Sequence, residues 1–142
     1  MIIFTSGCFD ILHRGHLSLL QYCHDVKQMK EMSDKSGRLV GSCTVIVGLN
    51  SDDSVRKLKG DGRPIMKEAD RQYALNSLRY IDEVHLFNEP TPRELIERIK
   101  PDLIVKTSPN PEETGDVRVK IIPKLEQYST TNLINEILSS RR

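Results

Sequence analysis

The sequence predicts an α/β domain built on a doubly wound, parallel, five-stranded sheet with helices on both faces. Three observations carry that expectation. Short β-branched runs alternate with helix-periodic segments from one end of the chain to the other. The second run, Cys43-Thr44-Val45-Ile46-Val47-Gly48-Leu49, is almost continuously apolar, as a strand buried on both faces is. The length, 142 residues, is that of one domain with a sizeable core. Strand–helix alternation of this kind builds right-handed βαβ units, and these place parallel strands under two helical layers.

The elements follow in order. Ile2-Ile3-Phe4-Thr5 reads as the first strand, closed by Ser6-Gly7. Leu17, Leu19, Leu20, Tyr22, Cys23 and Val26 recur at helical spacing. Residues Lys27 to Arg38 are polar and charged, and read as a helix end and a solvated loop. After the Cys43–Leu49 strand, Ala69 to Tyr80 reads as a helix and Glu83 to Phe87 as a strand. Thr91-Pro92-Arg93-Glu94 fits a helix start, with Thr91 as cap, Pro92 first in the helix and Glu94 completing a capping box. Asp102 to Lys106 is the fourth strand and Val117 to Ile122 the fifth, with a loop expected over Ser108 to Glu113. Ser129 or Thr130 caps a last helix through Leu133, Ile134, Ile137 and Leu138. There is no repeat and no low-complexity tract, so residues 1–142 form a single domain.

Composition narrows the function. Twenty-one Lys and Arg stand against twenty Asp and Glu, a net charge of +1. A non-specific nucleic-acid binder needs a marked basic excess, which is missing. Cys8, Cys23 and Cys43 form no CxxC pair, so a disulfide framework is not expected and a reducing, cytoplasmic compartment is. The run Leu39 to Leu49 is too short to cross a bilayer, and Met1 to Gly7 does not read as a signal peptide. No membrane partner is expected.

In open α/β sheets ligands bind beyond the carboxyl ends of the strands, where the strand order reverses. The first such loop reads Gly7-Cys8-Phe9-Asp10-Ile11-Leu12-His13-Arg14-Gly15-His16. With a helix starting near Arg14, both imidazoles lie at its positive end, where backbone N–H groups favour phosphate. Gly15 lets a phosphate approach the backbone, and Gly7 lets the chain turn off the strand. A His-x-x-His pair also suits zinc, but two further ligands at zinc spacing are not evident, so no metal site is assigned. Arg56, Lys57, Lys59, Arg63 and Lys67 follow the second strand within twelve residues, a candidate clamp for a triphosphate. No dinucleotide fingerprint and no Walker-type loop is present.

The ten-residue string from Gly7 to His16 resembles the first signature of the cytidylyltransferase-like nucleotidyltransferases, the HxGH type. Asn50-Ser51-Asp52, Lys57-Leu58-Lys59-Gly60, Arg63-Pro64, Arg71, Pro101 to Lys106 and Ser129-Thr130-Thr131-Asn132 are similar in order and spacing to its heptose 1-phosphate adenylyltransferases. Arg79 to Val84 is more similar to its glycerol-3-phosphate cytidylyltransferases. The resemblance covers most of the chain. It implies a Rossmann-like fold of the nucleotidyltransferase type. It also implies transfer of a nucleoside monophosphate from ATP or CTP to a sugar phosphate such as heptose 1-phosphate, with release of pyrophosphate.

By that resemblance His13, His16, Lys57 and Lys59 are catalytic. Gly7, Cys8, Phe9, Asp10, Gly15, Arg71, Lys106, Ser129, Thr130 and Thr131 bind the nucleotide. Arg63 and Asp52 bind the acceptor. Magnesium arrives with the nucleotide, since it prefers phosphate oxygens and water to a protein cage. A homodimer is implied only by analogy with relatives. Three departures stand out, the first a link over about Lys27 to Ser42 that is longer than in either group of relatives. Lys106-Thr107-Ser108-Pro109-Asn110 replaces a loop that carries glycines and an acid in the relatives, and Glu126-Gln127-Tyr128 precedes the Ser-Thr-Thr segment where the glycerol-phosphate enzymes have an arginine. The alternatives are a polyol-phosphate cytidylyltransferase, a nucleotide-binding module that binds NTP without releasing pyrophosphate, and a flavodoxin-like redox domain that would purify coloured.

Overall fold

Among the residues that the computed structural model describes, 1–31 and 41–140, five strands and six helices alternate. They are β1 (Ile2–Gly7), α1 (Arg14–Glu31), β2 (Thr44–Asn50), α2 (Asp52–Lys59), α3 (Glu68–Asn76), β3 (Glu83–Phe87), α4 (Arg93–Ile99), β4 (Leu103–Lys106), α5 (Pro111–Thr114), β5 (Val119–Ile121) and α6 (Thr130–Ser139). All strand pairs are parallel, in the order β3-β2-β1-β4-β5. The chain runs outward from β1 to β3, then returns to β4 on the other side of β1. The reversal point is therefore the gap between the ends of β1 and β4.

Side chains alternate across the sheet, which is why two separate layers of helix are needed. Ile3, Val45, Leu103 and Val105 pack on one face with Cys23 of α1. Their neighbours Phe4, Ile46 and Ile104 point to the other face and meet Leu95 and Ile96 of α4. Phe9, Leu20, Val47, Leu49 and Leu75 form a third cluster under α3 and the loop after β1. A β-carbon on Gly48 would lie 2.8 Å from the Phe4 ring, so the middle of β2 needs a glycine. On one flank, Asp82 accepts Lys27 Nζ and the Val45 N–H, each at 2.8 Å, tying α1 to the sheet.

Four β-strands fall within two residues of where the sequence places them, while β5 spans only Val119–Ile121 of the expected Val117–Ile122; the other corrections concern helices. The helix expected over Ala69–Tyr80 ends at Asn76 with Ser77 as its C-cap, and beyond it the Leu78 N–H bonds the Leu75 carbonyl three residues back, a tighter turn that does not continue the helix. Helix α4 starts one residue later than expected. Pro92 is its cap, its carbonyl accepting the Ile96 N–H, and no side chain caps it, so Thr91 and Glu94 form no capping box. Within the expected loop Ser108–Glu113, α5 adds one short turn of helix starting at Pro111. Of the segment Lys27–Ser42, α1 covers the start through Glu31, and residues 32–40 lie outside the described residues. No described helix is long and apolar enough to cross a membrane.

Helix α2 is an addition. Ser51 caps it by accepting the Ser54 N–H at 3.1 Å, Asp52 and Asp53 occupy its first turn, and Gly60, at φ 94°, ends it. Those are ordinary helix-boundary signals. They matter for the site, because a helix sends residues two apart to different sides.

Candidate functional site

A cleft of about 380 Å³ opens at the reversal point of the sheet. Its floor is the loop after β1. One wall is the first turn of α1, and the opposite wall is the start of α6 with the segment that leads into it. Gly7, Cys8, Phe9, His13, Gly15, His16, Lys59, Ser129, Thr130 and Thr131 all line it. Ten residues singled out for transfer chemistry or nucleotide binding thus meet in one place. Two helix N-termini converge there, and both favour anions. The lining holds two histidines and two lysines, Lys59 and Lys124, and no carboxylate.

The histidines are stacked, with ring centroids 3.8 Å apart and planes at 27°. The Gly15 N–H donates to His13 Nδ1 at 3.1 Å, and the His13 N–H reaches His16 Nδ1 at 3.4 Å. An Nδ1 that accepts carries no proton, so each neutral ring keeps its proton on Nε2. Burial lowers the pKa of His13. Burial, then the charges of His13 and Lys59, lower His16 to about 4. Both rings are therefore neutral Nε2–H donors at neutral pH. The Phe9 ring backs His16 at 5.3 Å between centroids.

The depressed His16 pKa has a consequence for stability. An unfolded chain binds a proton at the ordinary value near 6.5, and the folded protein only near 4. Protonation therefore favours the unfolded chain, so stability is full above pH 6.5 and falls as the pH drops toward about 4. The thermal midpoint is expected to decline across that window, and less so in His16→Gln. An equal decline in both would remove this cause.

Gly15 is fixed by contact. A β-carbon there would lie 2.9 Å from His13 Cε1 and 3.4 Å from the Tyr128 carbonyl oxygen. Gly15→Ala must displace the His13 ring, and misplacing a catalytic group by about 1 Å costs on the order of 10²-fold in rate. Steady-state turnover of Gly15→Ala is expected to fall by about that factor with the melting temperature little changed. Turnover at the wild-type level would mean that the His13 position is immaterial.

Six assigned residues lie outside this lining. Lys57, two residues before Lys59, projects from a different side of α2 and lines a separate depression with Asp53, Arg56 and Asp61. It is not positioned beside the histidines. Arg71 is 1% exposed. Its guanidinium donates to the carbonyls of Cys8, Asn50 and Met66 and to Asp52 Oδ1, all within 2.9 Å. Those bonds hold the floor of the site and leave the buried Arg71 no exposed face for a ligand, while Asp52 has one carboxylate oxygen committed to it. Lys106 is paired with Glu113 of α5. Asp10 is buried behind the floor and accepts from Arg63 Nε at 3.4 Å and from the N–H groups of Ile65 and Met66.

The hydroxyls of the Ser-Thr-Thr segment divide their work. Ser129 Oγ accepts the Asn132 N–H and caps α6, and Thr130 Oγ1 donates to the Asp10 carbonyl. Thr131 is exposed on the cleft. Cys8 also lines the cleft, but burial raises its pKa, outweighing nearby Lys59, Arg71 and Arg63, so it stays a thiol. Thr107, Ile122, Lys124, Leu125 and Tyr128 form a wall that the sequence reading did not assign. They follow β4 and β5 at the same end of the sheet as the first loop, which is the signal that marks them. The Arg14 guanidinium lies 5.9 Å from the Tyr128 ring centre.

The model of the Cytidylyltransferase-like family matches residues 4–136. The chain belongs to that family. It is 43% identical over 141 residues to the bifunctional protein HldE of Helicobacter pylori strain J99, covering 96% of this chain and 27% of that protein. It is 42% identical over 144 residues to the bifunctional protein HldE of Campylobacter fetus subsp. fetus, covering 96% and 28%. The chain thus spans little more than a quarter of the curated relatives it matches. Among solved structures, the lipopolysaccharide core biosynthesis protein of Thermoplasma volcanium aligns with a TM-score of 0.64 at 22% identity, over 91% of this chain and 98% of that one. That likeness shows the fold alone.

Proposed function

We propose that this family member transfers a nucleoside monophosphate from ATP or CTP to a sugar phosphate such as heptose 1-phosphate. The observation that carries the proposal is the pair of neutral Nε2–H imidazoles between two helix N-termini. An acceptor phosphate oxygen attacks the α-phosphorus, a new P–O bond forms, and the bond to the bridging oxygen breaks. Pyrophosphate leaves with that oxygen's electrons. A phosphate monoester is already an anion, so no strong general base is needed. Catalysis is then alignment plus stabilisation of charge on the equatorial oxygens.

His13 and His16 donate to those oxygens. Lys59 at the rim balances incoming charge, and the N–H groups at the start of α6 receive the leaving pyrophosphate. Among the described residues there is no cluster of three or more metal-ligating side chains, and the cleft lining lacks carboxylates. That donor set suits magnesium carried on the triphosphate as part of the substrate. Free cysteines at 8, 23 and 43 fit a reducing, cytoplasmic setting. The likeness to the HldE proteins supports a heptose 1-phosphate as acceptor and ATP as donor. Pyrophosphate release, measured with ATP and with CTP across a panel of sugar and polyol phosphates, tests the proposal. Release with heptose 1-phosphate is expected. NTP binding without release for any acceptor would make the chain a nucleotide-binding module.

A further inference from the structure

The wall of the cleft between β5 and α6 is lightly built. It starts at Ile122, which is buried and whose N–H donates to the Lys106 carbonyl at 2.9 Å. It ends at Thr130, the buried residue of α6, bonded to the Asp10 carbonyl. Between them Pro123, Lys124, Glu126 and Gln127 are exposed and Leu125 is half-buried. Inside the segment a turn closes with the Tyr128 N–H on the Leu125 carbonyl at 3.0 Å. Yet this segment gives Pro123, Lys124, Leu125 and Tyr128 to the cleft lining. Tyr128 bridges it to the opposite wall. Its carbonyl oxygen would lie 3.4 Å from a β-carbon on Gly15, and the Arg14 guanidinium lies over its ring, 5.9 Å from the centre.

Arg14 is out of place on ordinary helix grounds. It is the first residue of α1, where the helix dipole disfavours a cation, and the first turn holds no acid to offset it. It is exposed, and among the described residues no carboxylate pairs with it. Its neighbours His13 and Gly15 both line the cleft, and Arg14 does not. The aromatic face of Tyr128 is the partner that the structure gives it.

We propose that Arg14 is a positioning residue for the nucleotide donor: by lying over the Tyr128 ring it holds the wall after β5 against the start of α1. The proposal rests on the nucleotidyl-transfer reading above. With the contact in place the donor meets a cleft of fixed width. Without it the wall is free to stand wider, and the donor must order it on binding, at a cost to affinity. Once the wall is drawn in, His13 and His16 stand where they stood, so the chemical step is unchanged. The loss is one of uniform binding, which raises KM and leaves kcat alone.

Calorimetry with magnesium ATP and magnesium CTP, which needs no acceptor, and steady-state pyrophosphate release read the two halves. An exposed cation–π contact is worth roughly 2–5-fold in an equilibrium constant. Arg14→Gln is expected to weaken donor binding and raise its KM by about that factor, with kcat unaltered. Tyr128→Phe keeps the ring and is expected to bind as the wild type does, while Tyr128→Leu matches Arg14→Gln. The double variant decides between routes. If Arg14 acts through the ring, Arg14→Gln in the Tyr128→Leu background costs nothing more. If it costs the full factor again, Arg14 meets the phosphates directly and the proposal fails. Unchanged affinity in Arg14→Gln, or a loss in Tyr128→Phe equal to that in Tyr128→Leu, overturns it as well. A wild type that binds a nucleotide and releases no pyrophosphate refutes the transfer reading and leaves the binding cycle to judge Arg14. One that binds neither nucleotide refutes both.

Discussion

Replacing His16 with alanine is expected to cut turnover by about 10²–10³ while the protein stays folded, because one preformed donor to the transition-state oxygens is lost. The ring is half-buried at the cleft, and its Nδ1 engagement with the His13 N–H fixes its proton on Nε2. As a neutral donor it binds the developing charge without having to shed a proton. Its low pKa also sets the direction of the pH profile. In the free enzyme His16 stays neutral down to about pH 4, so loss of activity near pH 6 would have to come from another group. Pyrophosphate release by wild type and His16→Ala, with circular dichroism as the control for folding, decides the matter. A variant that turns over at the wild-type rate would remove His16 from the reaction.

The second large effect is on stability. Arg71→Met is expected to destabilise the fold by about 3–5 kcal/mol, the range seen when one partner of a buried charged network is removed. Arg71 is fully covered, and three carbonyls and the Asp52 carboxylate depend on it. Methionine fills the space and satisfies none of them. Two of those carbonyls, Cys8 in the loop after β1 and Asn50 at the end of β2, border the cleft floor, so it should loosen along with the fold. Urea unfolding measures the change. A variant with wild-type stability and weak triphosphate binding would return Arg71 to direct contact with the anion.

The strands were legible in the sequence because burial on both faces leaves a strong signature. Cys43 to Leu49 has hardly any polar interruption, and β3 runs over the same Glu83–Phe87 that periodicity marks. The helix boundaries were less so. Thr91 has the chemistry of a cap, yet Pro92 is already positioned to accept the first helical bond, and a local motif cannot report that one-residue shift. In the site, the Gly7–His16 string and Ser129–Thr131 were legible as a phosphate site. The division of labour among cations was not. Lys57 and Lys59 look equivalent along the chain and differ only once α2 is recognised as a helix. Arg71 looks like an anion ligand until its carbonyl partners, up to 63 residues distant, are seen. The wall at Ile122, Lys124, Leu125 and Tyr128 has no motif, because its position at the end of the sheet places it there.

The bond from Thr130 to Asp10 spans nearly the whole polypeptide. Bringing such remote segments together carries a chain-closure cost, and the crevice exists only once that cost has been met. A molecule with its early strands assembled but its final helix undocked has no crevice at all. A nucleotide that occupies the finished crevice will draw the population toward the complete fold by mass action.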